Sequence, residues 1–215
     1  QAQGSDGVSN VLVMIPTRDR PEGLAHAFES VARTSSAAVV GYVDEDQKDL
    51  YKNPPCPVFF GPRIGPVGAI NRLAELNPGY DAYGMITDDC EMTIPGWDEW
   101  LLEVLAQFPN RVGVVSPYHN QGNHVDMPFV SRKWMKATGW FACPTCHHYA
   151  WPIITGLIGE MAAILHAPLN KFAIEHPHKV EMVSLNKLEA DHTAFFNFVA
   201  LELPRTVERV RQAMS

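Results

Sequence analysis

The stretch that decides the fold is VLVMIPTRDRPEGL, residues 11–24. Its first six residues form a continuous apolar run, which is typical of a strand buried on both faces of a parallel sheet. Asp19 and Glu22 then form a capping-box pattern, and Pro21 suits the first turn of a helix. Apolar residues follow at helical spacing: Leu24, Ala27, Phe28, Val31 and Ala32. The stretch therefore predicts a strand, a loop and a helix in direct succession.

The same alternation continues through the first half of the chain. Further strands are predicted by apolar runs at 38–43, 58–60, 82–87 and 112–116, and helices by the intervening patterns at 66–76 and 96–108. Such alternation indicates an α/β domain with a mostly parallel sheet flanked by helices. Ligands of these domains gather at the carboxyl ends of the strands.

The second half of the chain loses this regularity. A strand is expected at 127–131, and helices at 153–166, at 188–203 and from 204 onward. Because neither a repeat nor a linker interrupts the sequence, a single domain is predicted over 11–215, with an alternating half at 11–116 and an irregular half at 117–215. Residues 1–10 are expected to be a disordered terminus or a cloning remnant.

Composition and charge narrow the class of protein. With 46% hydrophobic and 19% charged residues among 215, the composition is that of an ordinary globular protein, not a disordered, collagenous or coiled-coil one. The net charge of −7 argues against holding nucleic acid by charge alone. Four cysteines are too few for a disulfide scaffold, so reduced thiols are expected. No membrane span or signal peptide is recognisable, so a cytoplasmic location is expected.

Polar side chains follow three of the predicted strands. Thr17, Arg18 and Arg20 follow the first strand, residues 44–46 follow the second, and Asp88, Asp89 and Glu91 follow the fourth. Because parallel strands end at one edge of a sheet, these groups are expected to lie together. Arginines suit phosphate, and carboxylates suit hydroxyl groups or a divalent metal, so the combination indicates a nucleotide diphosphate site. For any single segment, a purely local preference of acidic residues for strand-to-helix loops stays open.

Three segments carry a family resemblance: residues 11–24, VVGYVDEDQ at 39–47, and RIGPVGAINRLAELNPGYDAYGMITDDCEMTIPGWDEWL at 63–101. Together they resemble the nucleotide-sugar-binding half of family 2-like glycosyltransferases with the GT-A fold, of the small stand-alone type found in bacteria and phages. The resemblance spans roughly Val11 to Phe108. It implies a Rossmann-like GT-A sheet and metal-dependent transfer of a hexose to a hydroxyl acceptor, with inversion. A UDP-sugar is the favoured donor.

The resemblance implies a set of donor-binding residues around the strand ends. Carried over position by position, the set is Pro16, Thr17, Arg18, Asp44, Asp46, Arg63, Gly65, Asn71 and Asp88. The first three would contact the base, and Asp44 with its neighbour Asp46 would bind uridine or ribose. Asp88 would hold hydroxyl groups of the ribose or the sugar.

The resemblance also implies a metal at an Asp-x-Asp-like cluster, which reads TDDCE at 87–91. The spacing is met either by Asp88 with Asp89 or by Asp89 with Glu91. We expect Asp89 to bind Mn²⁺ or Mg²⁺, with Glu91 as a second candidate ligand. Such a cation would neutralise the charge that develops on a leaving nucleoside diphosphate.

The second half matches the family less closely. MPFVSRKWMKATGWF at 127–141 resembles an acceptor-side strand and helix, and FAIEHPHKVEM at 172–182 resembles a late histidine-bearing strand. In an extended chain, His176 and His178 share a face, so either side chain could complete the metal shell. A structural histidine is the alternative at both positions.

The general base departs from the family pattern. Inverting members use an acceptor-side Asp or Glu to deprotonate the acceptor hydroxyl, but this chain has Ala-Trp-Pro at 150–152, where similar transferases have an Asp. The remaining candidates are Asp191, Glu160, His148 and His147. Asp191 comes first, although an acid at a helix N-terminus is an equally good interpretation of it. A chain without a base, retaining or inactive, stays open.

The segment Cys143-Pro-Thr-Cys146-His147 fits other patterns too. As a zinc half-site, the two cysteines with His147 or His148 supply three ligands, without an obvious second pair. Covalent haem attachment lacks its secretion signal and cytochrome pattern. The simplest interpretation is a loop whose cysteines pack as small apolar residues and whose histidines face an acceptor cleft.

Two other functions compete with a glycosyltransferase. A sugar nucleotidyltransferase needs a glycine-rich, basic phosphate loop, of which PTRDRPEG at 16–23 is a poor version. A noncatalytic nucleotide-sugar- or glycan-binding module is permitted by the missing acceptor-side Asp. The acceptor is open among saccharide, lipid-linked, protein and modified DNA base. The last would need a local basic patch from Arg111, Arg132, Lys133 and Lys136.

Overall fold

The computed structural model describes residues 9–119, 125–167, 172–176 and 185–215. The strands are β1 Ser9–Thr17, β2 Ala37–Asp44, β3 Val58–Gly61, β4 Ala82–Met85, β5 Glu91–Met92, β6 Val114–Val115, β7 Tyr118–His119, β8 Phe129–Ser131, β9 Leu165–His166 and β10 Ala173–Glu175. The helices are α1 Pro21–Thr34, α2 Gly65–Leu76, α3 Trp97–Gln107, α4 Arg132–Thr138, α5 Ala150–Met161, α6 Leu185–Leu201 and α7 Leu203–Met214, with 3₁₀ turns at Glu45–Leu50 and Pro109–Arg111. Within these ranges no helix combines the length and the apolar character needed to cross a membrane.

The main sheet has seven strands in the order β3-β2-β1-β4-β8-β6-β9. Strands β3, β2, β1 and β4 run parallel to one another, whereas β8 runs antiparallel to both β4 and β6. Helices pack on this mostly parallel sheet. The α/β fold class predicted from the alternating pattern is therefore confirmed.

The apolar run of β1 explains its central place. Val11, Val13 and Ile15 are fully buried, and β1 pairs with β2 on one side and with β4 on the other. The next helix, α1, begins very close to the end of β4. A Cβ on Gly23 would lie 2.5 Å from the carbonyl oxygen of Asp88, so only glycine allows this approach without a backbone shift.

The second half differs from the sequence prediction in its helices. Helix α4 was expected only from the family resemblance of 127–141, because its seven residues are too few to display helical periodicity. Its limits are nevertheless encoded: Ser131 Oγ accepts a hydrogen bond from the Trp134 N–H, and Gly139 ends the helix with φ 88°. The helix predicted at 153–166 was wrong at both ends, since α5 covers Ala150–Met161.

A second sheet of three short strands, in the order β5-β10-β7, was not predicted. Strand β10 pairs antiparallel with β5 and parallel with β7. Strands of two or three residues are too short to show an alternating pattern. This small sheet brings the chain after Asp89 beside the ends of β7 and β10.

Candidate active site

Arg18 joins the ends of the two neighbouring strands β1 and β2. Its guanidinium donates to Asp44 Oδ2 at 2.7 Å and forms a two-pronged pair with Asp46, at 2.8 Å on each oxygen. The hydrogen bond from Arg18 lowers the pKa of Asp46 below its ordinary value. The structure thus brings together three of the residues predicted for donor binding.

A second network joins the ends of β1 and β4. Thr17 Oγ1 donates to Asp88 Oδ2 at 2.6 Å and lies 2.9 Å from the Tyr51 hydroxyl. Arg20 Nη1 donates to Asp88 Oδ1 at 3.3 Å and to Asp89 Oδ2 at 3.2 Å. Hydrogen-bond networks thus join the end of β1 to the ends of both β2 and β4.

Asp88 and Asp89 are adjacent in sequence but differ in electrostatic environment. Burial raises the pKa of Asp88 above its ordinary value and outweighs the hydrogen bonds from Thr17 and Arg20. Burial also opposes the charged form of Asp89, but Thr87, His176 and Arg20 outweigh it and hold the pKa of Asp89 low. Thr87 Oγ1 donates to Asp89 Oδ1 at 2.5 Å. Asp89 is therefore the stronger acid of the two, and 39% of the surface of its side chain is exposed.

Beside Asp89, the small sheet gathers a Cys–His cluster made of Cys90, His119 and His176. One ligand atom from each residue lies within 4.8 Å of the others. Cys90 Sγ lies 3.2 Å from His176 Nε2, and His176 Nδ1 lies 3.7 Å from Asp89 Oδ1. Burial raises the pKa of Cys90 to about 12 and lowers the pKa of His176. Cys90 and His176 are therefore neutral at pH 7, and the sulfur and ring nitrogens of the cluster are atom types that can bind a metal.

The other two predicted metal ligands are placed differently. Glu91 begins β5 and lies 3.6 Å from His26 and from Arg33, both on α1. Its carboxylate thus faces α1, whereas that of Asp89 faces Arg20 and His176. His178 lies outside the described residues.

The remaining predicted donor-binding residues lie in three places. The side-chain amide of Asn71 forms hydrogen bonds with the backbone that follows α4. Its Oδ1 accepts from the N–H groups of Phe141 and Ala142 at 3.0 and 2.9 Å, and its Nδ2 donates to the Ala142 carbonyl at 2.8 Å. Arg63 is exposed between β3 and α2, and Gly65, the first residue of α2, is exposed with φ 73°. Pro16 is partly buried within β1, paired with Tyr42.

Asp191, the first candidate for a general base, instead holds a loop. Its side chain is almost completely buried, and it accepts hydrogen bonds from the N–H groups of His147, His148, Tyr149 and Ala150, where α5 begins. Burial opposes its charge, but these four donors outweigh burial and lower the pKa of Asp191. The structure therefore favours the interpretation of Asp191 as an acid at a helix N-terminus. The helix whose N-terminus it binds is α5, however, and not α6, in which Asp191 itself lies.

The other base candidates lie at opposite ends of α5. Glu160 is exposed in the last turn, ten residues or about 15 Å along the axis from Ala150. His148 precedes the helix, partly buried, with its ring 4.2 Å from the ring of Tyr149. Burial, followed by the charges of Asp191, Asp126 and Asp89, raises the pKa of Tyr149. His147 is exposed on the same loop.

Cys143 and Cys146 form a buried thiol pair on the same loop. The hydrogen bond from Cys146 lowers the pKa of Cys143 to about 6. In the part of the chain that the structure describes, the Cys–His cluster is the one convergent set of three metal-binding side chains. Cys143 and Cys146 form no such set with His147 or with His148, so the structure does not support the zinc half-site.

Four residues of this region were missed by reasoning from the sequence: Tyr51, Cys90, His119 and Asp126. Tyr51 follows an irregular 3₁₀ turn, and no pattern marks it. His119 could have been found as a polar residue shortly after the fifth predicted strand. Asp126 Oδ2 lies 2.8 Å from His119 Nδ1, a contact that depends on both residues being brought together by the fold.

Comparison with known proteins places the fold among glycosyltransferase structures. The mannosyltransferase PcManGT from Pyrobaculum calidifontis, in complex with GDP-Man and Mn²⁺, has a TM-score of 0.60 and 11% identity, covering 97% of this chain and 74% of that one. S. aureus TarS has a TM-score of 0.60 and 10% identity, covering 95% of this chain and 42% of that one. TarS 1-349 in complex with UDP has a TM-score of 0.58 and 11% identity, covering 95% and 70%.

These similarities are structural and not sequence-based. No protein-family model and no curated protein matches the sequence. At this level of identity, the structural likeness shows the fold alone, and that fold is GT-A-like.

Proposed function

We propose that the chain is a glycosyltransferase of the family 2-like type that transfers a hexose from a nucleotide-sugar donor to a hydroxyl acceptor. The observation that carries the proposal is the polar edge where β1, β2 and β4 end, with Arg18, Arg20 and four aspartates in contact. The likeness to folds that bind GDP-Man and UDP supports it. A UDP-sugar is the donor we favour, on the family resemblance.

The proposed donor contacts follow from the two networks. Asp44 and Asp46 accept hydrogen bonds from the ribose or the base, and Arg18 holds both carboxylates in place. Asp88, whose pKa is raised, binds a sugar or ribose hydroxyl. Arg20 is half exposed and can turn its guanidinium to a phosphate.

The residues at the end of β4 fit a divalent cation. The Asp89 carboxylate is ionised and partly exposed, and His176 Nδ1 lies 3.7 Å from its Oδ1. Asp89 and His176 would hold Mn²⁺ or Mg²⁺; bound there, the cation supplies positive charge to the leaving diphosphate. The neighbouring Thr87 fixes the carboxylate through its hydrogen bond to Oδ1.

On the acceptor side, His148 is the general base that we favour over Asp191 and Glu160. Both oxygens of Asp191 are occupied by backbone donors, and Glu160 is at the far end of α5. Direct displacement with inversion follows from the resemblance, with the His148 imidazole taking the acceptor proton. The acceptor class, whether saccharide, lipid-linked, protein or modified DNA base, is the open element of the proposal.

A noncatalytic nucleotide-sugar-binding module is the second candidate. One observation favours it: both carboxylate oxygens of Asp191, the first candidate for the general base, already accept hydrogen bonds from backbone N–H groups. Such a module would bind the nucleotide sugar without releasing nucleoside diphosphate.

The test is release of nucleoside diphosphate from UDP- and GDP-sugars, with Mn²⁺, Mg²⁺ or a chelator, in the wild type, Asp89→Asn and Asp81→Asn. Asp81 is a matched control, because it precedes β4 at the opposite edge of the sheet, where it pairs with Arg132 at 2.8 Å. We expect metal-dependent turnover that only Asp89→Asn loses. Metal-dependent binding without turnover, even with acceptors added, would favour the binding module, and equal loss in both variants would contradict the proposed site.

A further inference from the structure

The Cys–His cluster differs chemically from an ordinary Mg²⁺ or Mn²⁺ site. Hard cations select carboxylate, carbonyl and water oxygens, whereas thiolate and imidazole together select Zn²⁺ and similar ions. Cys90, His119 and His176 offer one sulfur and two ring nitrogens within 4.8 Å of one another. The donor set therefore points to a softer ion than the one Asp89 would select.

The distances suit a shared ion. Ligand atoms at 2.3 Å (sulfur) and 2.0–2.1 Å (nitrogen) from a tetrahedral zinc lie about 3.5 Å apart. Cys90 Sγ lies 3.4 Å from His176 Nδ1 and 3.2 Å from Nε2, and the rings of His119 and His176 are centred 4.8 Å apart. Small side-chain rotations would bring the three ligand atoms to a common centre.

The environment of His119 gives evidence for a bound ion that does not depend on these distances. The residue is only 7% exposed, yet neither ring nitrogen has an aligned hydrogen-bond partner among the described residues. Such a buried imidazole is unfavourable unless something satisfies it. Asp126 Oδ2, 2.8 Å from Nδ1, favours a proton on that nitrogen and leaves Nε2 with a free lone pair. A carboxylate beside a histidine in this way is the usual outer partner of a zinc ligand.

The fold builds the cluster from three separate segments. Cys90 lies directly before β5, His119 ends β7, and His176 follows β10. Because β10 lies between β5 and β7, the small sheet fixes the three positions relative to one another. Asp89 Oδ1, 3.9 Å from Cys90 Sγ, lies next to a fourth position.

We propose that Cys90, His119 and His176 bind a Zn²⁺-type ion, with Asp126 orienting His119. Binding by this cluster does not depend on the transferase proposal, since it requires no nucleotide sugar. One consequence does depend on it: His176 belongs to both ligand sets, so zinc bound at the cluster would compete with Mn²⁺ at Asp89.

The test is a Co²⁺ titration of chelator-treated, nucleotide-free protein, followed by absorption spectroscopy. We expect a cobalt–thiolate charge-transfer band and the visible bands of tetrahedral Co²⁺, reaching one ion per chain and displaced by Zn²⁺. Cys90→Ser should lose the charge-transfer band, whereas Cys56→Ser and Cys143→Ser should keep it. Asp126→Asn should weaken cobalt binding by about 10–100-fold.

Circular dichroism of each metal-free variant separates loss of the site from loss of the fold. If Cys90→Ser does not fold, His119→Gln and His176→Gln provide the test, since each keeps the thiol and should weaken binding at least as much as Asp126→Asn. A wild-type protein without the thiolate band, or a band lost only in Cys143→Ser, overturns the proposal. Neither result bears on the transferase proposal, which is tested by nucleotide release from the wild type and Asp89→Asn.

Discussion

The edge of the sheet at Asp89 and the start of helix α5 at Asp191 each contain an aspartate whose pKa is lowered, but different groups lower it. Around Asp89 the groups that lower it are side chains, those of Thr87, His176 and Arg20. Around Asp191 they are four successive backbone N–H groups. Asp89 keeps 39% of its side chain exposed, whereas Asp191 is 1% exposed.

This difference distinguishes the proposed binding site at Asp89 from the structural role of Asp191. Backbone N–H groups cannot move away without unwinding the chain, so a carboxylate saturated by them has no capacity for a ligand. Side-chain partners such as Arg20 can rotate toward a substrate. A low pKa alone therefore does not identify a functional acid; the identity of its donors does.

The largest effect on stability is expected at Asp191. Asp191→Ala leaves the N–H groups of 147–150 without their common acceptor, and we expect the free energy of unfolding to fall by about 2–4 kcal/mol. Urea unfolding followed by circular dichroism measures it. A loss below about 0.5 kcal/mol would show that water replaces the carboxylate and that these hydrogen bonds are unimportant.

A smaller loss is expected where α1 approaches the end of β4. The Cβ of Gly23→Ala would meet the Asp88 carbonyl at 2.5 Å, a backbone atom that can yield only by shifting the strand end. We expect a loss of about 1–3 kcal/mol together with weaker donor binding. Gly79→Ala, which has open space around its Cβ, is the control and should leave donor binding unchanged.

The pH dependence of stability should distinguish wild type from Asp191→Asn. Because the folded-state pKa of Asp191 is depressed, its stabilising contribution is complete above the unfolded-state pKa of about 4 and is lost as the pH falls through the folded-state value. The difference in unfolding free energy between the two proteins should shrink on acidification. A difference that stays constant from pH 7 into that range would mean that the charge of Asp191 is not what holds the loop.

The smallest effect is expected at Glu160. Its side chain is exposed at the end of α5, so Glu160→Gln should change the free energy of unfolding by less than about 0.5 kcal/mol and leave turnover unchanged. A tenfold fall in turnover in the nucleotide-release assay would restore Glu160 as a catalytic candidate.

The parts of the fold that were predictable are those set by local patterns. The apolar run at 11–15 specifies a buried central strand, and parallel strands necessarily end together, which is why Arg18 was expected near Asp44. The pairing of Asp191 with the loop at 147–150 could not be predicted, because it joins segments more than 40 residues apart through backbone groups that are the same in every residue.

The Cys–His cluster was unpredictable for a different reason. Its geometry depends on strands of two or three residues, whose pairing is decided by the surrounding packing and not by their own sequence. Only His176 was anticipated, from the resemblance, while His119 and Cys90 became ligand candidates once the small sheet was known.

The most direct test of the central claim measures two quantities, nucleotide release and thermal unfolding, on the same two variants, Asp89→Asn and Asp191→Asn. We predict that Asp89→Asn reduces turnover by about 10²–10³-fold while its melting temperature stays close to that of the wild type. We predict that Asp191→Asn lowers the melting temperature, yet retains most of the turnover at temperatures where it is folded. If Asp191→Asn instead abolished turnover while remaining fully folded, Asp191 would be the general base and the distinction between the two regions would be wrong.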